Sequence, residues 1–154
     1  MSNRTAHTEP DSKARILVVD DDDIVRGLHE AVLSLAGYET QSAENGEEAL
    51  AMLGLGKFDL LVTDCNMPKL DGISLIRALR AGGSRIPVMM VSGSLMERDL
   101  PADLVHEIAV AIPKPARMCE LINGVACALR AQAGEPAKES IAAIFHTATR
   151  NTLQ

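Results

Sequence analysis

The sequence predicts a doubly wound α/β fold: five βα units around one parallel sheet. Three observations carry that expectation. Short apolar runs of strand length recur along the chain, each is followed by a segment of helical character, and three of the runs end on chemically capable residues, namely Asp20-Asp21-Asp22-Asp23, Asp64 and Lys114. Strands that alternate with helices imply a parallel sheet covered on both faces, because each crossover is right-handed and lays its helix on the sheet. Open sheets of this kind bind ligands outside the carboxyl ends of their strands.

The elements follow in order. Residues 1–14 mix Ser, Asn, Thr, His, Pro and charges without periodicity and read as a flexible leader. Residues 16–19, Ile-Leu-Val-Val, form a continuous apolar run suited to a strand buried on both faces. Asp23 is placed to cap a helix, Asp22 reads as exposed loop, and Ile24, Leu28, Ala31, Val32 and Leu35 mark the helix's apolar face up to Gly37. Residues 38–43 make a second strand. Asn45-Gly46 then turns into a helix with Ala49, Leu50 and Leu53 on one side, broken by Gly54 and Gly56.

Residues 58–63 are a third strand, followed by a loop over 66–72 marked by Met67-Pro68 and Asp71-Gly72, where both Asp71 and Gly72 serve the turn. Ile73, Leu75, Ile76 and Leu79 define a third helix closed by Gly82-Gly83. Residues 87–91 are a fourth strand leading into Ser92-Gly93-Ser94. The stretch 95–107 is less regular and is assigned a short fourth helix, with Pro101 near a start. Residues 108–112 are a fifth strand stopped at Pro113, and 118–131 a fifth helix with Leu121, Ile122, Val125 and Leu129 inward. The tail, 132–154, passes Gly134-Glu135-Pro136 and carries Ile141, Ile144, Phe145 and Ala148, the spacing of a short amphipathic helix.

A chain of 154 residues is enough for one well-buried domain, here 15–131, and too short for two ordinary ones. A net charge of −6 argues against overall attraction to nucleic acid. One Tyr, two Phe and no Trp demand an aliphatic core and remove any aromatic platform for stacking bases. With no apolar stretch near the N-terminus and no window of about 18 apolar residues, a cytoplasmic location without membrane contact is expected. Cys65, Cys119 and Cys127 lack metal-ligand or C-x-x-C spacing and read as reduced thiols. His7, His29, His106 and His146 read as solvated, and Met89, Met90 and Met96 as packing residues.

The chemistry concentrates at one sheet edge. Asp20, Asp21 and Asp64 follow the first and third strands, which are neighbours in a flavodoxin-like order of 2-1-3-4-5. Three carboxylates crowded there repel one another unless a cation is present. Mg²⁺ suits such a set, since it takes a few carboxylates together with water and phosphate oxygens, and Mn²⁺ would suit the same oxygens. Lys114, after the fifth strand, adds a positive charge for a phosphoryl oxygen, and Ser92, after the fourth, a hydroxyl donor.

Together these residues resemble the receiver domains of two-component response regulators, which are CheY-like. The resemblance covers Arg15 to about Arg130 and rests on a combination: Val18-Val19-Asp20-Asp21, Asp64-x-x-Met67-Pro68 with Asp71-Gly72, Ser92, and Lys114-Pro115. It implies that Asp64 accepts a phosphoryl group from a histidine kinase or phosphotransfer protein. Asp21 would bind Mg²⁺ directly, Asp20 through water, and the Asn66 backbone carbonyl would be a further ligand. Ser92 would turn toward the phosphoryl group, and Lys114 would pair with Asp64 before phosphorylation and with phosphoryl oxygens afterwards. The resemblance also implies a cis Lys114-Pro115 bond and a stand-alone switch that catalyses its own phosphorylation and dephosphorylation.

Two departures bear on output. Receivers often carry an aromatic residue three positions before the lysine and a Phe after the proline; here Ala111 and Ala116 stand there. Signalling by backbone and loop shifts between Ser92 and Lys114 is therefore expected, toward a protein target meeting the fourth helix, fifth strand and fifth helix. The tail, through Ile141, Ile144 and Phe145, is a candidate cover for the fifth-strand face. Two other readings remain: a pseudo-receiver that only binds partners, and an aspartyl-phosphate phosphatase. The latter would need a second acid two residues after the nucleophile, where Asn66 stands.

Overall fold

In the computed structural model, which describes residues 13–93 and 100–134, the chain runs β1 (Arg15–Val19), α1 (Asp23–Leu35), β2 (Glu39–Ala43), α2 (Gly46–Leu55), β3 (Leu60–Thr63), α3 (Gly72–Ala81), β4 (Val88–Ser92), a 3-10 turn (Val105–Glu107), β5 (Val110–Pro113) and α4 (Met118–Gln132). The five strands form one sheet in the order β2-β1-β3-β4-β5. Every neighbouring pair is parallel, as expected. The assignments made for 1–12 and 135–154 lie outside the described residues.

The near-continuous apolar runs of the central strands have a physical reason: alternate side chains feed two separate cores. Leu17, Val19, Leu61, Met90 and Ala111 pack with Ala49 of α2 and with Leu75, Ile76 and Leu79 of α3. Ile16, Val18, Leu60, Val62, Met89 and Val91 pack on the other face with Val32 and Leu33 of α1 and with Leu121, Val125 and Ala128 of α4. The cores are aliphatic, as the scarcity of aromatic residues requires. Gly124 lets α4 approach closely, since a Cβ there would stand 2.6 Å from Met89 Cε.

Edge placement explains Pro113. β5 pairs only with β4, so its free side tolerates the missing donor, and the pairing continues past the proline through the Lys114 amide, which donates to Ser92 O at 3.1 Å.

Four expectations need correction. The α1 N-cap is Asp22, whose carboxylate accepts from the Ile24 and Val25 amides, so the helix starts one residue earlier than the Asp23 assignment allows. The buried face of α1 is His29, Val32 and Leu33, whereas Ile24, Leu28 and Leu35 point to solvent. This helix has apolar residues on both sides, and spacing alone does not tell which side meets the sheet. On α2, Ala49 is buried as expected but Leu50 is exposed. Within 95–107, the described residues from Leu100 onward form turns and the 3-10 turn instead of an α-helix; Leu100 and Leu104 still face the core.

Arginines on α3 tie that segment down in place of helical hydrogen bonds. Arg80 donates to Glu107 Oε2 at 2.6 Å and to the Ser84, Ile86 and Glu107 carbonyls. Arg77 meets the Asp103 carboxylate at 3.3 Å.

Candidate functional site

The strands deliver their terminal residues to one edge because β1 and β3 are hydrogen-bonded neighbours in register, with Val19 opposite Thr63. The next residue on each is an aspartate. The Asp64 amide donates to Val19 O and the Asp20 amide to Ala43 O, so both acids continue the ladder and their positions are set by backbone. Asp20 and Asp64 are buried, and Asp21 is exposed at the mouth. The three carboxylates offer oxygens that all lie within 4.8 Å of one another.

Lys114 reaches this cluster from the end of β5. Its Nζ donates to Asp20 Oδ2 at 2.6 Å and to Asp64 Oδ2 at 3.1 Å. The pairing with Asp64 was expected. The shorter bond to Asp20 was not, and it makes the lysine a bridge between the two buried acids. Burial pulls the Lys114 ammonium down, but the two hydrogen bonds and the charges of Asp20 and Asp64 outweigh it, so its pKa lies above the ordinary lysine value. The Lys114-Pro115 bond is cis.

The remaining oxygens are held as well. Asp20 Oδ1 accepts from the Asp22 amide at 2.9 Å and Asp64 Oδ1 from the Cys65 amide at 2.7 Å. Each buried carboxylate therefore has one oxygen tied to its own loop and one to Lys114. Such short, charge-assisted bonds preorganise the pocket. Thr63 Oγ1 donates to Asp64 O, and Gly72 packs directly behind: a Cβ at Gly72 would stand 2.2 Å from Asp64 O. Glycine in Asp71-Gly72 thus serves close approach to the acid, while Asp71 caps α3 by accepting from the Ser74 amide at 2.7 Å.

Ser92 is buried at the end of β4, and Asn66 is exposed in the loop after Asp64. Cys65, adjacent to Asp64, is partly buried, and burial together with the Asp64 and Asp71 charges raises its thiol pKa. A thiol kept protonated is a poor nucleophile, in keeping with assigning it no chemistry.

Two residues near the site escaped the sequence reading. Arg26 on α1 donates from Nη1 to Asp20 O at 2.8 Å and from Nη2 to Asp23 Oδ1 at 2.5 Å, clamping the acidic loop. Its signal was the spacing from Asp23, three residues along one helix face. His29, read as solvated, is buried on the inner side of α1. Burial lowers its pKa; Asp20 partly opposes this, and Lys114 reinforces it. No sequence signal marked it, because its burial depends on which side of α1 meets the sheet.

The donor set fits a small hard cation. All the ligand atoms are carboxylate oxygens, and three negative charges against one lysine leave an excess of two. Oxygens this close suit an ion held by some groups directly and by others through water.

A doubly wound parallel sheet with an acid trio and a lysine at its carboxyl edge defines a class of α/β proteins whose ligand site lies outside the strand ends. The particular family is set by comparison: the response regulator receiver domain family matches residues 16–126, and the chain belongs to it. Its place is therefore in two-component signalling. The chain is 37% identical over 135 residues to the response regulator MprA of Mycobacterium bovis (strain BCG / Pasteur 1173P2), a match that covers 88% of this chain and 59% of that protein. This chain thus spans little more than half the length of the curated relatives it matches.

Among solved structures it is similar to the CheY-like receiver domain protein of Methanospirillum hungatei JF-1, with TM-score 0.73 and 27% identity over 81% of this chain and all of that one. It is also similar to the response regulator TrrA of Thermotoga maritima, solved in complex with Mg(2+)-BeF, with TM-score 0.66 and 29% identity over 73% of this chain and 96% of that one. Among the described residues, no helix is long and apolar enough to cross a membrane.

Proposed function

We propose that this receiver is a phosphorylation-controlled switch in the cytoplasm, with Asp64 as the acceptor and a phosphohistidine on a kinase or phosphotransfer protein as the donor. The observation that supports this reading is the Lys114 Nζ bridge between Asp20 and Asp64, which sets one cation against the two buried acids read as a metal-binding group and the phosphoryl acceptor. A carboxylate oxygen of Asp64 attacks phosphorus, the P–N bond to the donor imidazole breaks, and its electron pair returns to the leaving nitrogen, which takes a proton from water. The product is an acyl phosphate on Asp64.

Bound Mg²⁺ supplies positive charge that offsets the phosphoryl oxygens; Asp21 and Asp64 would hold it directly, Asp20 through water, and the Asn66 backbone carbonyl would complete the protein's share. Lys114 exchanges a carboxylate for a phosphoryl oxygen, and Ser92 donates its hydroxyl to another. Little covalent work falls to the protein, so position and charge supply the catalysis. The same groups position water for hydrolysis, which makes the domain a catalyst of its own phosphorylation and dephosphorylation.

Ala111 is fully buried and offers no aromatic side chain to swing. The signal therefore passes through the backbone between Ser92 and Lys114, toward a protein target that meets the crossover before β5, β5 itself and α4.

Intact-mass measurement after incubation with acetyl phosphate and Mg²⁺ tests the reading. The expected result is a labile adduct of one phosphoryl group, absent from Asp64→Asn and dependent on the divalent ion. An adduct that persists in Asp64→Asn, or none from acetyl phosphate or any phosphohistidine donor, overturns it.

A further inference from the structure

Away from the acid pocket, the outer side of α1 is left uncovered. Ile24, Leu28 and Leu35 are 83%, 55% and 85% exposed, and Ala31 between them is exposed too. With 3.6 residues per turn these four positions fall within an arc of about 60°, so they form one straight apolar ridge along the helix. The other large exposed apolar residues among those described, Leu50, Leu55 and Met118, form no such line. A helix facing the sheet with its opposite side has no folding reason to keep this ridge apolar.

We propose that residues 141–148 of this same chain dock on the α1 ridge as an amphipathic helix. α4 packs beside α1 on the same sheet face, and both helices follow parallel strands, so both run back toward the amino edge of the sheet. The end of α4 at Gln132 therefore releases the chain near the Leu35 end of α1. Gly134, with φ of 82°, ends α4 in the left-handed region, and Pro136 follows two residues on, the usual signals for stopping a helix and redirecting the chain.

The following residues suit the ridge in length and pattern. Ile141, Ile144, Phe145 and Ala148 are spaced as i, i+3, i+4 and i+7, one apolar helix face. As a helix that face is about 10 Å long, against about 16 Å for the ridge from Ile24 to Leu35. The six residues 135–140 span up to about 20 Å when extended, enough to reverse direction. A tether this short gives the tail an effective concentration near the millimolar range, which favours it over a second copy of the chain.

The fifth-strand face, considered above for the tail, offers little in comparison, since Val110 and Ala111 are already fully buried. Docked on α1, the tail covers the outer side of the helix that begins beside Asp21. This docking stands independently of phosphoryl transfer.

Hydrogen exchange on the full 154-residue chain, read by mass spectrometry together with sedimentation velocity, tests it. Leu28→Glu alters an exposed residue and leaves the core intact, and Phe145→Glu alters the opposite partner. The expected result is that peptides covering 139–149 exchange at least about 10-fold faster in Leu28→Glu than in wild type, that Phe145→Glu speeds exchange of α1 surface amides, and that wild type is monomeric. Equal exchange of the tail in wild type and Leu28→Glu overturns the proposal. Protection that appears only as protein concentration rises, with a dimer in sedimentation, overturns the intrachain occupant in favour of a second copy.

Discussion

Lys114 decides most about this protein at the scale of single residues. It bridges two buried carboxylates and offsets one of their two charges, so a neutral replacement leaves both facing each other without that compensation. Lys114→Met is expected to destabilise the metal-free protein by about 1–3 kcal/mol, and added Mg²⁺ is expected to restore most of that, measured by urea unfolding with and without the ion. His29 provides a pH signature. Burial, countered in part by Asp20, lowers its folded-state pKa, so the unfolded chain takes up the proton first as pH falls. Stability is complete above the ordinary histidine pKa and is lost as pH drops from there toward the lowered value. In the absence of divalent ions, wild type is expected to lose more urea stability than His29→Val between about pH 7.5 and about pH 5.5; equal losses would exclude this role. That Asp20, Asp21, Asp64 and Lys114 meet at one sheet edge was legible in the sequence, because Asp20, Asp64 and Lys114 each follow a strand-like run whose order the βα alternation dictates. The bridge from Lys114 to Asp20 was not legible, because a side chain's choice between two carboxylates depends on distances that no spacing encodes.

At the scale of elements, α1 separates pattern from packing. Both of its sides carry apolar residues, and the side that meets the sheet includes a histidine. Its start shows the same division. Asp22 and Asp23 are equivalent as cap residues in sequence, but only the Asp22 carboxylate reaches the amides of the first turn, while the exposed Asp23 carboxylate pairs with the largely buried Arg26 side chain. Asp22→Ala is accordingly expected to cost about 1 kcal/mol of stability and Asp23→Ala well under half of that, as read from paired denaturation curves. The apolar face of α3 was legible, since Ile73, Leu75, Ile76 and Leu79 mark one side; that Asp71, read as a turn residue, also caps the helix came from the structure. The segment before β5 was not. Leu100 and Leu104 are buried, but Pro101 and the Arg80 bonds to Glu107 hold turns in place of the expected helix.

For the molecule as a whole, the two-core arrangement makes β1, β3 and β4 the interior of the sheet and leaves β2 and β5 as its edges. β2 is the more exposed edge, with only Ala43 buried, and β5 is anchored by Val110, Ala111 and Ile112. Native-state amide exchange is expected to be slowest in β1 and β3 and fastest, among the strands, in β2; a β2 as protected as β3 would contradict a core centred on the interior strands.

By itself the sequence determined the parallel sheet, its five strands and the acids and lysine at its carboxyl edge, because period and strand-end position are local properties that survive without knowledge of contacts. Tertiary structure alone decided which side of α1 is buried, that Gly72 serves close approach to Asp64, and that Lys114 bridges Asp20 to Asp64. Those outcomes depend on which surfaces meet across the fold, and that is settled by the packing of distant segments against one another.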